Sequence, residues 1–430
     1  MKRAIRKYSY FFISFCCLIH FVHAQEIPTV VPEEVGLSSA RLKRLDSVIQ
    51  GIVKRGELAS PIILIARRGK IAHFKAYGQI DIKAKKKMPP DAIFPIGSNA
   101  KIISGAAVLM LYEEGHFLLS DPISRFIPEF KNMKVIVPSK NGRGADDNLT
   151  TVPAEGEITI RDLLRHTAGF TYGSGKSSVD KLYREAGFRT WNGTLAGFVK
   201  QLSKFPLAYH PGKKWEYSYS IDVLGYLIEV ISGQSLDQFM KQRIFKPLDM
   251  KDTDFYVPKD KLDRFTNFYK FENGSLRLEE SVAQSSFRKR PSAFSAGGGW
   301  GTGYGGLVTT ARDFARFLQM ILDYGKLGKK RLLSRKSIEL MKANHIKDIP
   351  GYFFSGAGYG LGVGVTTDIG KTGELATPGE IYWAGAPNNT SFFVDFKEEM
   401  FGILLTQTAP FGHLGLIDRV KILSLQAIDD

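Results

Sequence analysis

From Ile102 to Leu111 the chain is apolar on every side, broken only by Ser104 and Gly105. A helix without a polar face must be enclosed by other elements, so this run predicts a central helix inside a sizeable core. Glu113-Glu114-Gly115 supplies its polar end and a glycine stop. Just before it, after Phe94-Pro95-Ile96-Gly97, stands Ser98-Asn99-Ala100-Lys101. Residues three apart on a helix share a face, so the Lys101 amine is expected beside the Ser98 hydroxyl. A serine hydroxyl is a poor nucleophile until a neighbouring base takes its proton. A lysine held in an apolar, enclosed site resists protonation and can be that base. Four-residue S-x-x-K matches arise often by chance; the buried helix behind this one gives it weight.

The 430 residues suit two average domains or one large one, and 43% hydrophobic content is ample for a core. Residues 1–24 read as a secretory signal: Lys2, Arg3, Arg6 and Lys7, then an apolar core from Phe11 to Val22, then Val22-His23-Ala24 before Gln25. The expected product is secreted or periplasmic after cleavage near Ala24-Gln25. A lipid anchor on Cys16 or Cys17 is disfavoured by Phe15, where a small residue is expected. Both cysteines lie inside the signal, so disulfides, thiolate catalysis and cysteine metal sites are not expected beyond it. Removing the signal's four cations lowers the formal net charge from +16 to +12. The remaining lysines and arginines are scattered, without a basic helix or an aromatic-basic ladder, so no nucleic-acid partner is expected. Weak attraction to an anionic cell envelope stays open.

Leu42, Leu45, Ile49 and Ile52 mark one face of a helix opened by Ser38 or Ser39. Pro61 to Ala66 and Ile71 to Tyr77, around Arg67-Arg68-Gly69-Lys70, predict a β-hairpin. From the central helix to about residue 345 the pattern is mainly helical: Ile160 to Arg165, Leu195 to Leu202, Ile221 to Ile231, Leu236 to Ile244, Ala311 to Leu322 and Ser334 to Ala343. Long loops are expected at Lys131 to Gly156 and Phe268 to Gly306. Strands return at Tyr359 to Thr366, Glu380 to Ala384, Ser391 to Phe396 and Phe401 to Gln407, and a helix from Ile417 to Ile428 closes the chain. Strands at both ends around a helical insert predict an α+β fold: an antiparallel sheet flanked by the terminal helices, with a helical lobe inserted. The domain reading is a 1–24 signal and one 25–430 unit, its sheet lobe about 25–97 and 346–430 and its helical lobe about 98–345. A site is expected in the cleft between the lobes.

Two further motifs suit that cleft. Tyr217-Ser218-Tyr219 follows Pro211-Gly212-Lys213-Lys214-Trp215-Glu216, just before the helix from Ile221. A phenol beside an ammonium shifts towards phenolate, so Tyr217 can exchange a proton with Ser98 and with a leaving group; a loop tyrosine packed by its ring is the plainer alternative. Trp383-Ala384-Gly385-Ala386 ends a strand before Pro387-Asn388-Asn389. Small residues at a strand edge let a substrate approach the backbone, whose N–H groups can hold an oxyanion.

With Ile160-Arg161-Asp162-Leu163-Leu164-Arg165-His166-Thr167-Ala168-Gly169, Pro211-Gly212 ahead of Tyr217-Ser218, Leu224-Gly225-Tyr226 and Thr309-Thr310-Ala311-Arg312-Asp313, the Ser98 motif resembles the penicillin-recognising serine hydrolases. These comprise class C β-lactamases, D-alanyl-D-alanine carboxypeptidases and family VIII esterases. The resemblance runs from about Val35 to Gln407 with the motifs in order. It implies a β-lactamase/transpeptidase-like fold, Ser98 as acylated nucleophile, Lys101 as base, Tyr217 as acid/base, and backbone N–H groups of Ser98 and Ala386 as oxyanion hole. Trp383, Ala384, Gly385 and Tyr219 form the implied substrate-binding set. Two positions depart from the β-lactamase pattern. The tyrosine motif ends in Tyr219 where Asn is common, and Trp383-Ala384-Gly385 stands where β-lactamases carry K-T-G or H-T-G. W-x-G is frequent in the esterases. Both departures remove groups suited to an anionic peptide or lactam and favour a neutral ester.

A literal Lys371-Thr372-Gly373 occurs in a stretch that reads as a loop, so the Trp383 strand is the expected third motif. Gly173-Ser174-Gly175-Lys176-Ser177 suggests a phosphate loop, but Phe170 stands where its first glycine belongs. Gly297 to Gly306 is glycine-rich without a preceding strand, which suits a loop near the cleft. His166 is expected to pack within its turn. Beyond the signal the histidines show no metal spacing, and no metal or cofactor is expected. The expected activity is that of an exported carboxylesterase on a small-molecule ester or amide. The alternatives are a β-lactamase or D-alanyl-D-alanine carboxypeptidase, and a catalytically silent envelope-binding protein on the same fold.

Overall fold

The computed structural model describes residues 26–137, 150–191, 193–279, 287–292, 294–298 and 306–430; the expected signal and both cysteines lie outside them. The hairpin at the start of the chain supplies β1 (Ile62–Arg67) and β2 (Lys70–Ala76). The end of the chain supplies β3 (Ala357–Tyr359), β4 (Gly364–Thr366), β5 (Ile381–Gly385), β6 (Thr390–Asp395) and β7 (Met400–Leu405). They form an antiparallel sheet in the order β3-β4-β5-β6-β7-β1-β2. The two ends of the chain meet at β7 and β1, Ile62 opposite Leu405 and Arg67 opposite Met400.

Six helices bear on the site: α1 (Ser39–Lys54), α2 (Ala100–Glu113), α3 (Ser178–Glu185), α4 (Ser220–Ser232), α5 (Ala311–Leu322) and α6 (Leu416–Leu425). Strands β1, β6 and β7 are buried along their whole length, because both faces of the sheet are covered. On the outer face Ile63, Ile65, Phe393 and Leu404 pack with Leu45 and Ile49 of α1 and Val420 of α6. Ser38 caps α1 by accepting from the Arg41 N–H. On the inner face Ile62, Leu64, Phe392 and Ile403 join the larger core around α2. Every residue from Ala100 to Leu111 is buried, as an all-round apolar helix requires. Each large aliphatic side chain there contributes about 1.5–3 kcal/mol by leaving water.

Four local readings differ from the sequence expectation. Helix α5, expected in the helical lobe, lies against β1, β6 and β7, because its strongly one-sided apolar face needs the sheet. The stretch from Phe268 holds a hairpin, Tyr269–Glu272 with Ser275–Leu278, which joins Thr408–Ala409 in a small sheet. Its turn is Asn273-Gly274, both at positive φ, a strong local hairpin signal. The Lys131 to Gly156 stretch pairs Lys134–Ile136 with Thr151–Pro153; the residues between lie outside those described. Finally, helix α3, not expected from sequence, follows the Gly173-to-Ser177 stretch, with Ser177 and Asp180 forming a capping box.

Candidate active site

Gly97 has φ +52, and a Cβ on it would come within 3.3 Å of the Ala386 carbonyl oxygen. Its lack of a side chain therefore allows both the turn and the close approach of β5. The Gly97–Asn99 turn runs straight into α2 and presents Ser98 at the helix start, partly exposed. One turn on, Lys101 is fully buried, and its Nζ donates to Ser98 Oγ at 3.2 Å. A second donation goes to the carbonyl of Gly297.

Gly297 belongs to a segment that runs along α2 and is tied further to α2 and to α4. Ser104, one of the two breaks in the apolar run, donates its hydroxyl to the Ala296 carbonyl at 2.7 Å. The other tie is Asp222 of α4, buried, whose Oδ1 accepts from Ser295 Oγ at 2.7 Å and from the Gly297 N–H at 3.2 Å. Asp222 thus fixes one side of the peptide unit whose neighbouring carbonyl holds Lys101. Burial pushes the Asp222 carboxyl up, opposed by the Ser295 bond and by the Lys101 charge. Asp222 was not anticipated from sequence, although an acid inside the apolar stretch Ile221 to Ile231 is a signal of a buried, partnered carboxylate.

Tyr217 lies just before α4, its ring centroid 4.6 Å from Lys101 Nζ. Neighbouring rings hold it: His166 at 4.8 Å, Tyr172 at 5.2 Å and Trp383 at 5.5 Å between centroids. The Trp383 indole Nε1 donates to Tyr217 Oη at 3.2 Å. His166, buried and at φ +58, packs within its turn with Nδ1 3.3 Å from Ser218 Oγ. Burial, with the Lys101 charge adding to it, holds its imidazole well below the usual range, so it is a neutral packing group.

Trp383 reaches the site from β5. Strand β4 pairs with β5 only at Ile381 and Tyr382, so the edge of Trp383, Ala384 and Gly385 that faces Ser98 carries no described strand. Their other edge pairs with Phe392, Ser391 and Thr390. Ser98, Tyr217, Trp383, Ala384 and Ala386 line one cavity of about 530 Å³. The arrangement offers a hydroxyl with an amine on it, a phenol beside that amine, and a strand edge for a polarised oxygen.

Two members of the implied substrate-binding set do not line the cavity. Tyr219 is fully buried, its ring against Tyr172, Phe188 and Phe198, and is a core residue of the helical lobe because the turn into α4 points it inward. Gly385 packs its backbone on Ile96, where a Cβ would sit 2.5 Å from the carbonyl oxygen, so it serves the approach of the strand to the Ser98 turn. Lys371 stands on a single exposed helical turn, Ile369–Thr372, with its amine 3.6 Å from Asp368. That K-T-G is not on a strand.

The beta-lactamase family model matches residues 45–427. An uncharacterized protein of Mycobacterium tuberculosis is 31% identical over 373 residues, 84% of this chain and 89% of its own. Esterase EstB of Burkholderia gladioli is 28% identical over 397 residues, 89% of this chain and 95% of its own. Among solved structures, EstCE1, a hydrolase with promiscuous acyltransferase activity, superposes with a TM-score of 0.74 at 24% identity. It covers 91% of this chain and 99% of EstCE1. The fold is the β-lactamase/transpeptidase-like one that the motifs imply.

Proposed function

Since this chain belongs to the beta-lactamase family and is a serine hydrolase, we propose that it cleaves neutral carboxylic esters through an acyl-enzyme on Ser98. Lys101 takes the Ser98 proton as Oγ attacks the ester carbonyl, and the oxyanion is held by the N–H groups of Ser98 and Ala386. Tyr217 hands a proton to the departing alkoxide, leaving the acyl group on Ser98. Water then attacks the acyl carbonyl and gives a proton to Tyr217, while the Ser98 ester bond breaks, Oγ regains its proton from Lys101, and the acid is released. The signal-like start adds export, which an amino terminus at Gln25 in the secreted protein tests.

The observation that carries the ester reading is the indole of Trp383 on the strand beside Ser98, bonded to Tyr217 Oη. A lysine there would supply a cation for a substrate carboxylate. The two other lysines lining the cavity already face acids: Lys371 pairs with Asp368, and Lys421 with Glu374 and Glu380. A carboxylate-bearing lactam therefore finds no unengaged cation among the described side chains of the cavity. Similarity to esterase EstB supports the same reading.

The test is kcat/KM for a short-chain nitrophenyl ester and a chromogenic cephalosporin, on wild type, Ser98→Ala and Lys371→Ala. Ester turnover should vanish with Ser98 and persist without Lys371, and cephalosporin turnover should be slow throughout. Efficient cephalosporin hydrolysis that collapses in Lys371→Ala would replace this reading with a β-lactamase one. A folded wild-type protein that neither turns over an ester nor is labelled by a fluorophosphonate would make it a silent binding protein.

A further inference from the structure

The cavity does not end at the nucleophile. Past Ala384 it continues onto the outer face of the sheet beneath α6, where Ser391, Phe393, Leu404, Leu416 and Val420 line it. The room has a local cause. Ala384 and Ser391 stand directly opposite each other on β5 and β6, and two small side chains there leave α6 nothing to close on. Beside them the Phe393 ring lies over Gly402, so near that a Cβ on Gly402 would strike it.

The mouth is apolar too. Phe353, Phe354 and Phe411 line the cavity and remain 60%, 48% and 49% exposed. Large rings left in water along one cavity mark a surface built to be covered. The lining charges Lys421 and Glu374 bond each other, and Asp418 adds a carboxyl that an anionic occupant would meet. A peptide would leave its N–H and C=O groups unpaired among these side chains. An uncharged aliphatic chain fits both constraints.

We propose that this arm holds the hydrocarbon chain of a lipophilic ester whose carbonyl sits at Ser98. The inference rests on the esterase reading and narrows it to substrates with a medium or long aliphatic group. The chain can belong to the acyl or to the alcohol side. Each methylene moved from water into such an arm is worth about fourfold in kcat/KM.

The experiment measures kcat/KM for nitrophenyl acyl esters from acetate to dodecanoate, and for acetates of alcohols of matching length. Wild type is compared with Ser391→Phe and Val420→Trp, which fill the arm. In wild type one series should climb about fourfold per methylene over several carbons, which identifies the side that carries the chain. In either filled variant the long-to-short ratio in that series should fall at least tenfold. A flat wild-type profile in both series, or a climb that survives both substitutions in folded protein, overturns the proposal. Should neither variant fold, inhibition of acetate hydrolysis by n-alkanols on wild type decides it: inhibition must tighten with chain length, and a constant value overturns the arm. Loss of the esterase reading looks different, since then no ester of any length turns over.

Discussion

The bond from Trp383 to Tyr217 can be tested as a working contact by a double-mutant cycle. Trp383→Phe removes the indole N–H and keeps a ring near Tyr217 and near Tyr359, whose centroids lie 5.5 Å and 5.1 Å from that of Trp383. What is lost is one hydrogen bond at 3.2 Å between a buried indole and a partly buried phenol, worth about 0.5–1.5 kcal/mol. At about 1.36 kcal/mol per decade, kcat/KM should fall about 2- to 13-fold. Tyr217→Phe should cost about 10²-fold or more, the scale of a lost general acid/base. The informative number is the fourth corner. With no hydroxyl left to receive the bond, Trp383→Phe should cost less than about twofold in the Tyr217→Phe background. Nitrophenolate release from a nitrophenyl ester, with wild type, Trp383→Phe, Tyr217→Phe and the double variant compared where all are folded, supplies all four values. Equal losses in both backgrounds would show that Trp383 acts by ring packing alone and that its bond to Tyr217 is idle in turnover.

Three other outcomes follow from the geometry. Asp222→Ala removes the acceptor of the Ser295 hydroxyl and of the Gly297 N–H, and should lower the unfolding free energy by about 2–5 kcal/mol in urea, with turnover falling alongside. Asp222→Asn, which keeps an acceptor oxygen, should recover most of the stability; an Asp222→Ala protein as stable and active as wild type would refute the tie. Gly385→Ala places a methyl against the Ile96 carbonyl and Thr390, pushing β5 off the Ser98 turn, so kcat should drop about 10²-fold in a folded protein; an unchanged kcat contradicts the close-approach role. His73 is pushed down to about 4 from 6.5, chiefly by burial, with Lys75 adding and Asp46 opposing. Its folded value is depressed below the unfolded one, so the associated stability is complete above pH 6.5 and drains as pH falls towards 4, by about 3 kcal/mol. Urea midpoints at pH 7.5 and 4.5 should converge in His73→Asn; the same pH slope as wild type would show that His73 does not carry it.

What could be read in advance was whatever the chain encodes locally. Helix α2 announced itself because no polar face meant no solvent face, and the spacing of Ser98 to Lys101 is a property of one helical turn. The strands of the sheet follow from alternating or continuous apolar runs between turn residues, and Asn273-Gly274 shows that a passed-over turn signal can hide a hairpin inside an apparent loop. The contacts that complete the site are of another kind. Lys101 meets the carbonyl of Gly297, 196 positions away, and a backbone carbonyl carries no residue identity to read. Tyr219 was misplaced because a motif specifies residue order, whereas the turn into α4 decides which way a ring points. Lys371-Thr372-Gly373 spells a familiar site on a turn that has no strand to present it.

The order of the groups along the chain also sets when the protein can first act. Ser98 and Lys101 emerge early, whereas Trp383 and Ala386 come some 290 residues later on a strand inside a sheet that β1 and β7 close together. At about 5–20 residues per second, synthesis leaves a gap of roughly 15–60 s in which the nucleophile exists without its facing strand. On the proposed assignment of Ser98, a growing chain therefore carries a dormant serine, and a chain cut short before β5 should stay dormant. Under that assignment hydrolysis reports on completion: labelling at Ser98 is expected only of a protein that has brought its last strands home.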